Sequence, residues 1–234
     1  MTCPICRSEN ITTYDRVVSA PYFDLTMNDV KLHTGVLSDY LECRDCRVIF
    51  QSSMQSQDWY NWFYASGTYR DTLGALQSDI DADEQRRALD VIGYLGKQNV
   101  QPKYHMDIGS SRGYLLKMTQ RIYNCEINGD DPNNAYSEVE YDMEATNPDL
   151  LTAIHVLEHT LDPVAELRKW STMTSRWMLI EVPGAKTKGG PLRFAHLYYF
   201  PPELLKKMIE DIGMTVIDFD DGDNTRILSE WERK

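Results

Sequence analysis

Four of the five cysteines stand in two closely spaced pairs in the first part of the chain. Cys3 and Cys6 form one C-x-x-C pair and Cys43 and Cys46 form a second, with residues 7–42 between them. Such pairs present thiolates to one tetrahedral ion, and four thiolates leave no open position for water. The pattern predicts a structural zinc site. The segment between its two C-x-x-C pairs is longer than the corresponding segment of a compact zinc ribbon. A redox dithiol or disulfides are the alternatives, and a cytosolic setting disfavours stable disulfides.

A second stretch suited to ligand binding runs from Asp107 through Gly109 to Gly113. The apolar run YHMDIG is typical of a strand, and the following GYLLKMTQRI is typical of a helix. Glycines let the chain turn tightly against a ligand, and the start of a helix offers free amide donors. The dinucleotide fingerprint G-x-G-x-x-G fails, because Ser111 and Tyr114 stand where its second and third glycines belong. The pattern that remains is D-x-G-x-x-x-G.

The elements that must position this loop alternate along the chain. After the loop, the strand patterns LLTAIH and RWMLIEV are separated by the helix pattern PVAELRKWSTM, and PPELLKKMIEDIG follows them. Alternation of strand and helix predicts a parallel sheet with right-handed crossovers. We therefore expect an α/β fold with a Rossmann-like, doubly wound, mostly parallel sheet that carries helices on both faces.

The chain divides into three predicted regions: residues 1–70 as the zinc-binding module with an aromatic docking segment, residues 71–100 as a connecting helical segment, and residues 101–234 as the Rossmann-like domain. Residues 1–70 lack a long amphipathic period, so we expect irregular or short-stranded structure there. The connecting helix has an apolar side, and Gly96 is its predicted stop. That side is formed by Ala88, Leu89, Val91, Ile92 and Leu95.

Two later helices carry clear end signals. Asp162 followed by Pro163 suits an N-cap and a first helical position, because the carboxylate accepts from free amides and proline lacks an amide that would go unpaired. Pro202 begins the last long helix in the same way, and Gly213 is suited to the left-handed turn that ends it.

The charge balance limits the classes of partner. The chain has 24 Lys plus Arg against 36 Asp plus Glu, a formal net charge of −12, which disfavours binding to a phosphate backbone. No apolar run is long enough to span a membrane, and the start MTCPICRSEN lacks the pattern of a secretory signal peptide. We therefore expect a cytoplasmic protein that does not bind membranes.

Five segments in a fixed order carry a resemblance to a known family. DIGSSRG is followed by INGDDPN, by PDLLTAIHVLEHTLDP, by EVPG, and by AHLYYFPPELL. This order resembles that of class I S-adenosylmethionine-dependent methyltransferases. The phrase YLECRDCRVIFQ is similar, more narrowly, to the branch with an N-terminal zinc-binding region, many of whose members act on sugars, nucleotide sugars or other small metabolites.

The resemblance implies which residues contact the methyl donor. An acid after the second strand binds the ribose hydroxyls, since two acceptor oxygens suit two adjacent hydroxyls, and Asp131 is favoured over Asp130 for this role. Asp142 is the candidate for the adenine contact, and Tyr64 and Tyr69 are candidates to close over the donor. The other implied donor-binding residues are Asp107, Gly109, Ser110, Ser111, Gly113 and His155.

Methyl transfer to a hydroxyl needs alignment and removal of a proton, a task that histidine suits because its reference pKa lies near neutrality. His159 is the first candidate base, with Glu158 as its orienting or electrostatic partner, and His196 is the second. The alternative is structural: His159 braces the helix that begins near Asp162, and Glu158 caps backbone amides.

An aromatic segment lies between the cysteine pairs and the connecting helix. We expect it to dock the two parts of the chain against each other, with a substrate lid as the alternative. Its members are Trp59, Tyr60, Trp62, Phe63, Tyr64 and Tyr69.

These patterns together favour O-methylation of a sugar, nucleotide sugar or related hydroxylated small molecule. C-methylation of a keto-sugar nucleotide is the nearest alternative. A non-catalytic zinc-containing binding module with a vestigial Rossmann-like domain is the alternative of another class. A nucleic-acid methyltransferase is the third option, which a basic stripe on the folded surface would favour.

Overall fold

The computed structural model describes residues 1–27, 30–56, 58–60, 77–131, 139, 147–186, 192 and 196–232. Tyr64, Tyr69 and Asp142 lie outside these ranges, as does the predicted boundary near residue 70. None of the described helices is long and apolar enough to cross a membrane.

The first part of the chain is an antiparallel sheet rather than irregular structure. Its strands, in the order β1-β2-β3-β8, are β1 (Ile11–Met27), β2 (Val30–Cys43), β3 (Ile49–Gln51) and β8 (Tyr198–Tyr199). The expectation of short strands was wrong for β1 and β2, which pair from Ile11↔Cys43 to Met27↔Val30. Two register shifts interrupt this pairing. Each shift breaks the two-residue alternation by which a long strand is normally detected in a sequence.

The second sheet has six strands in the order β5-β4-β6-β7-β10-β9. These are β4 (Tyr104–Ile108), β5 (Glu126–Asp130), β6 (Leu150–Ile154), β7 (Trp177–Pro183), β9 (Thr215–Asp221) and β10 (Asn224–Glu230). The first four are mutually parallel, whereas β10 runs antiparallel to both of its neighbours. The prediction of an α/β fold with a mostly parallel sheet is confirmed.

Helices cover both faces of this sheet. They are α1 (Gln77–Lys97), α2 (Tyr114–Tyr123), α3 (Pro163–Met173) and α4 (Pro202–Asp211). Successive strand residues point to opposite faces, so Leu150 packs with α1 and α2, whereas Leu151 packs with α3 and α4. The hydrophobic core that contains Leu151 also contains Cys43 and Phe50. The antiparallel sheet therefore shares a core with the α/β domain.

The predicted helix ends are mostly confirmed. Asp162 Oδ1 accepts from Ala165 N at 3.0 Å with proline at the first position of α3, and Gly213 follows α4 with φ 92°. The stop predicted at Gly96 was wrong, because α1 continues to Lys97. Leu89 was also wrongly placed on the apolar side: it is 60% exposed, since it lies about 100° around the helix from Ala88.

Two members of the aromatic segment are described. Tyr60 is buried in the shared core, and Trp59 packs against that core with its ring edge-on to Tyr60 at 5.1 Å between centroids. The docking role predicted for the segment fits these two residues. Trp62, Phe63, Tyr64 and Tyr69 lie outside the described residues.

Candidate functional site

The site is built where neighbouring parallel strands lead to opposite faces of the sheet. From β4 the chain enters α2 on one face, and from the adjacent β6 it passes through a short 3₁₀ turn (Leu157–His159) to α3 on the other face. Such a divergence opens a crevice at the carboxyl ends of the strands, where α/β proteins bind their ligands. The loop after β4 and the segment after β6 form its two sides.

The loop after β4 depends on two glycines in the left-handed region, Gly109 at φ 70° and Gly113 at φ 73°. A Cβ added at Gly109 would lie 2.5 Å from Val156 Cγ2, so the loop packs directly against the segment after β6. Ser111 stands between these glycines and adopts φ 50°, a strained value for a residue with a side chain. Strain of this kind is typical of loops shaped for a ligand.

The acid predicted after the second strand reaches this loop. Asp131 Oδ2 accepts a hydrogen bond from Ser111 N at 2.8 Å, and the Asp130 carbonyl accepts from Gly109 N and Ser110 N at 2.6 and 3.1 Å. The structure therefore brings Asp131 and the predicted glycine loop together. Asp142 cannot be placed beside them because it lies outside the described residues.

Residues of α1 complete a pocket against the loop, and sequence reasoning missed them. Glu84 and Arg87 line this pocket together with Asp107 and Ser110, and Ser111 Oγ donates to Glu84 Oε1 at 2.9 Å. Glu84 stands four positions before Ala88, and Arg87 stands four positions before Val91; Ala88 and Val91 are both buried. Residues four apart lie on the same side of a helix, so this spacing predicts that Glu84 and Arg87 extend the apolar side by one turn.

Asp107 is held from beneath by a buried chain of hydrogen bonds that the sequence did not reveal. Thr152 Oγ1 donates to Asp107 Oδ1 at 2.5 Å, and His105 contacts Thr152 Oγ1 at 2.8 Å and Thr119 Oγ1 at 3.1 Å. Burial raises the pKa of Asp107 to about 7, although the Thr152 bond opposes this rise. Burial lowers the pKa of His105 to about 3, so its imidazole is neutral at physiological pH.

The segment after β6 places His155 between two buried carboxylates. His155 Nδ1 lies 3.4 Å from Glu158 Oε1, and Nε2 lies 3.2 Å from Glu181 Oε1. Burial alone would lower the pKa of His155, but the two carboxylates outweigh burial and raise it. Glu181 is also paired with Arg226, whose guanidinium extends to Asp90 Oδ2 at 2.7 Å. His155 has φ 56°, a second strained residue at the edge of the crevice.

The three predicted catalytic residues come together in the structure. Leu197 N donates to the Glu158 carbonyl at 2.8 Å, which places His196 beside the 3₁₀ turn. His159 Nε2 lies 3.6 Å from Glu158 Oε1, and the rings of His159 and His196 meet edge to face at 5.0 Å between centroids. Burial would raise the pKa of Glu158, but the neighbouring histidines, led by His159, lower it to about 2. Glu158 is therefore an ionised carboxylate with imidazoles around it.

Two residues of the antiparallel sheet hold His196 in this position, and sequence reasoning missed both. Tyr40 Oη donates to the His196 carbonyl at 2.8 Å, and Gln51 Nε2 lies 3.3 Å from the same oxygen. Tyr40 and Gln51 are both buried. A contact between residues this far apart in the sequence leaves no local signal.

The four cysteines of the two pairs also come together. Cys3 Sγ lies 3.6 Å from Cys46 Sγ, Cys6 Sγ lies 3.5 Å from Cys43 Sγ, and all four sulfurs fall within 4.8 Å of one another. The cysteines are free thiols, so the disulfide alternative is not realised in this structure. Four sulfurs about 2.3 Å from a shared zinc ion are separated by about 3.8 Å in a tetrahedral site. The donor set thus fits zinc.

The chain matches one family by sequence. The family described as "Methyltransferase domain" matches residues 80–218, which is more than half of the chain. A search of curated proteins finds no significant match.

Several solved structures share the fold. One is magnesium protoporphyrin IX methyltransferase from Synechocystis PCC 6803 with bound SAH, at TM-score 0.55 and 16% identity, covering 76% of this chain and 100% of that chain. Another is 1,6-didemethyltoxoflavin-N1-methyltransferase from Burkholderia thailandensis, at TM-score 0.57 and 14% identity, covering 81% and 98%. An O-methyltransferase family protein from the same organism has TM-score 0.52 and 9% identity, covering 74% and 69%. At these identities the likeness concerns the fold.

Proposed function

Because the chain belongs to the methyltransferase-domain family of enzymes, we propose that it transfers a methyl group from S-adenosylmethionine to a hydroxyl group of a sugar, nucleotide sugar or related small molecule. One observation carries this proposal. Val156 packs against Gly109 of the loop and lies two residues before Glu158. The loop therefore adjoins the carboxylate–histidine cluster, which consists of Glu158, His159 and His196. A donor in the crevice and an acceptor beside the cluster are therefore within reach of each other.

We assign the donor to the loop after β4. The backbone from Gly109 to Gly113 accommodates the amino-acid part of S-adenosylmethionine, and Asp131 binds its ribose hydroxyls. Asp107 lies beneath the loop, and in its ionised form it offers negative charge to a donor that carries a sulfonium. Asp142, Tyr64, Tyr69 and His155 remain proposed donor contacts. The bound SAH in the Synechocystis neighbour supports the choice of donor by analogy of fold.

We assign removal of the acceptor proton to Glu158, His159 and His196. His159 takes the proton of the acceptor hydroxyl. The acceptor oxygen then attacks the methyl carbon, and the carbon–sulfur bond breaks with its electron pair on sulfur. The products are the methylated acceptor, S-adenosylhomocysteine and a protonated histidine. Glu158 stabilises that positive charge, because it is ionised and 3.6 Å from His159 Nε2. His196 is the second candidate base.

We assign zinc to Cys3, Cys6, Cys43 and Cys46. The ion links the two C-x-x-C pairs at the ends of residues 7–42 and so supports the antiparallel sheet. The proposal predicts one zinc ion per chain by elemental analysis of the purified protein. Substitution Cys43→Ser should remove that ion, whereas Cys125→Ser lies outside the cluster and should leave it bound. Purified protein without zinc would contradict this assignment.

The test of the function is incubation with S-adenosylmethionine labelled in the methyl group and a panel of sugars, nucleotide sugars and glycans. Label on an acceptor oxygen supports the proposal, and label on a ring carbon identifies C-methylation of a keto sugar instead. Label in nucleic acid, added as a separate arm, would overturn the small-molecule assignment.

A further inference from the structure

We propose that Glu158, His159 and His196 form a binding site for one divalent transition-metal cation, separate from the four cysteines. The inference rests on the proposed function, since the cation occupies the place where the acceptor hydroxyl loses its proton.

The geometry of the three side chains fits a common ion. One ligand atom from each lies within 4.8 Å of the other two. Atoms bound at about 2.1 Å to the same ion are at most about 4.2 Å apart, so rotations that move these atoms by less than about 1 Å complete the site. Two imidazoles and one carboxylate are ligands that first-row divalent cations accept with positions left open.

The carboxylate of Glu158 independently indicates a bound cation. Its side chain is 1% exposed, and within the described part of the chain neither of its oxygens has a hydrogen-bond partner. His155 Nδ1 and His159 Nε2 approach Oε1 only to 3.4 and 3.6 Å. A buried carboxylate without hydrogen bonds is costly unless a cation compensates it. A metal ion bound directly to these oxygens supplies that compensation.

The backbone holds the ligands in place before any ion binds. The Glu158 carbonyl accepts from Leu197 N, and the His196 carbonyl accepts from Tyr40 Oη, both at 2.8 Å. Ligands supported in this way bind metal more tightly, because less side-chain and backbone freedom is lost on binding.

The open positions define what the ion does. Three protein ligands leave room for the acceptor oxygen, in contrast to the closed cysteine site. A bound cation lowers the pKa of a coordinated hydroxyl, so the proton leaves to solvent, the oxygen attacks the methyl carbon, and the bond to sulfur breaks with its electron pair on sulfur. When the ion is bound, His159 is a metal ligand and does not act as the base. His159 acts as the base only when no ion is bound.

Manganese titration of the zinc-containing protein, followed by the electron paramagnetic resonance signal of free Mn²⁺, tests the inference. The titration uses protein in which elemental analysis shows one zinc per chain, so that the second site is empty, and Mn²⁺ does not favour a four-thiolate site. We expect one bound Mn²⁺ per chain in the wild type and affinity at least about tenfold weaker in Glu158→Gln and His196→Gln. Glu210→Gln, which removes an exposed carboxylate on α4, should bind Mn²⁺ as the wild type does.

Absence of Mn²⁺ binding in the wild type, or unchanged binding in a folded Glu158→Gln or His196→Gln variant, would overturn the site. Circular dichroism establishes which variants are folded, and having two ligand variants keeps the test decisive if one does not fold. Calorimetry with S-adenosylhomocysteine on the same samples separates the two proposals. Donor binding without Mn²⁺ binding rejects only the metal site, whereas absence of donor binding rejects the proposed function.

Discussion

The hydroxyl of Tyr40 donates a hydrogen bond of 2.8 Å to the backbone carbonyl of His196. Tyr40 lies on β2, three residues before Cys43, and Gln51 on the adjacent β3 donates to Tyr40 Oη at 3.0 Å. The antiparallel sheet next to the cysteines thus fixes a histidine of the carboxylate–histidine cluster. The cysteine-containing part of the chain therefore supports the site as well as packing into the core that it shares with the α/β domain.

Replacing Tyr40 by Phe should separate these two roles. The ring stays buried while the hydrogen bond to His196 is lost, so we expect about 1 kcal/mol lower free energy of unfolding. We also expect about tenfold lower kcat, with unchanged affinity for S-adenosylhomocysteine, because only the acceptor side of the crevice is disturbed. Steady-state kinetics and chemical denaturation measure the two effects. Tyr14→Phe, at a residue 49% exposed, is the matched control, and equal kcat in both variants would refute the supporting role.

Replacing Gly109 by Ala should damage the donor site. An alanine side chain is strained at φ 70° and its Cβ meets Val156 at 2.5 Å, so the loop must shift. We expect at least tenfold weaker binding of S-adenosylhomocysteine by calorimetry, since the donor requires the observed loop shape. Gly93→Ala is the control, because no described residue lies within 4 Å of an added Cβ there, and this exposed helix position should gain up to about 1 kcal/mol. Equal donor affinity in the two variants would contradict the assignment of the loop.

Asp107 should make the protein less stable as pH rises. Its pKa is raised to about 7 by burial, so the folded state holds a proton that the unfolded state releases from about pH 4 upward. Stability should therefore fall between about pH 4 and pH 7, by at most about 1.4 kcal/mol per pH unit from this group, and level off above. Asp107→Asn should lose this component while keeping an acceptor for Thr152. Denaturation of both proteins at pH 5 and pH 8 measures the difference, and parallel pH profiles would count against a raised pKa.

Replacing His159 by Gln should lower turnover without weakening the donor. Loss of a general base or metal ligand costs about 10² to 10⁴ in rate, whereas the donor loop is untouched. The same preparation should bind S-adenosylhomocysteine with wild-type affinity by calorimetry. His196→Gln should show a smaller loss in the absence of added metal. Wild-type turnover in His159→Gln would support the structural alternative, in which this histidine only braces α3.

Local signals in the sequence identified the features that depend on neighbouring residues. The cap at Asp162 and the turns at Gly109, Gly113 and Gly213 each follow from the residue type at one position. Asp131 was predicted from the resemblance of the segment INGDDPN to the known family, and the structure places its carboxylate 2.8 Å from Ser111 N.

Features that depend on distant pairing could not be read in this way. The register shifts in β1 and β2 hid a long hairpin, and Tyr40 meets His196 only once both sheets have formed. The bond from Thr152 to Asp107 likewise joins two strands that become neighbours through the parallel pairing of β4 with β6. These contacts are consequences of topology, which residue type alone does not encode.

Calorimetric titration with S-adenosylhomocysteine, comparing the wild type with Asp131→Asn, tests whether this chain binds the methyl donor at the loop after β4. We expect one molecule bound per chain in the wild type and at least about tenfold weaker binding in the variant. The substitution replaces one oxygen of the carboxylate that we propose to accept from the ribose hydroxyls, and Oδ2 of that carboxylate accepts from Ser111 N. Absence of binding to the folded wild-type protein would overturn the proposed donor site.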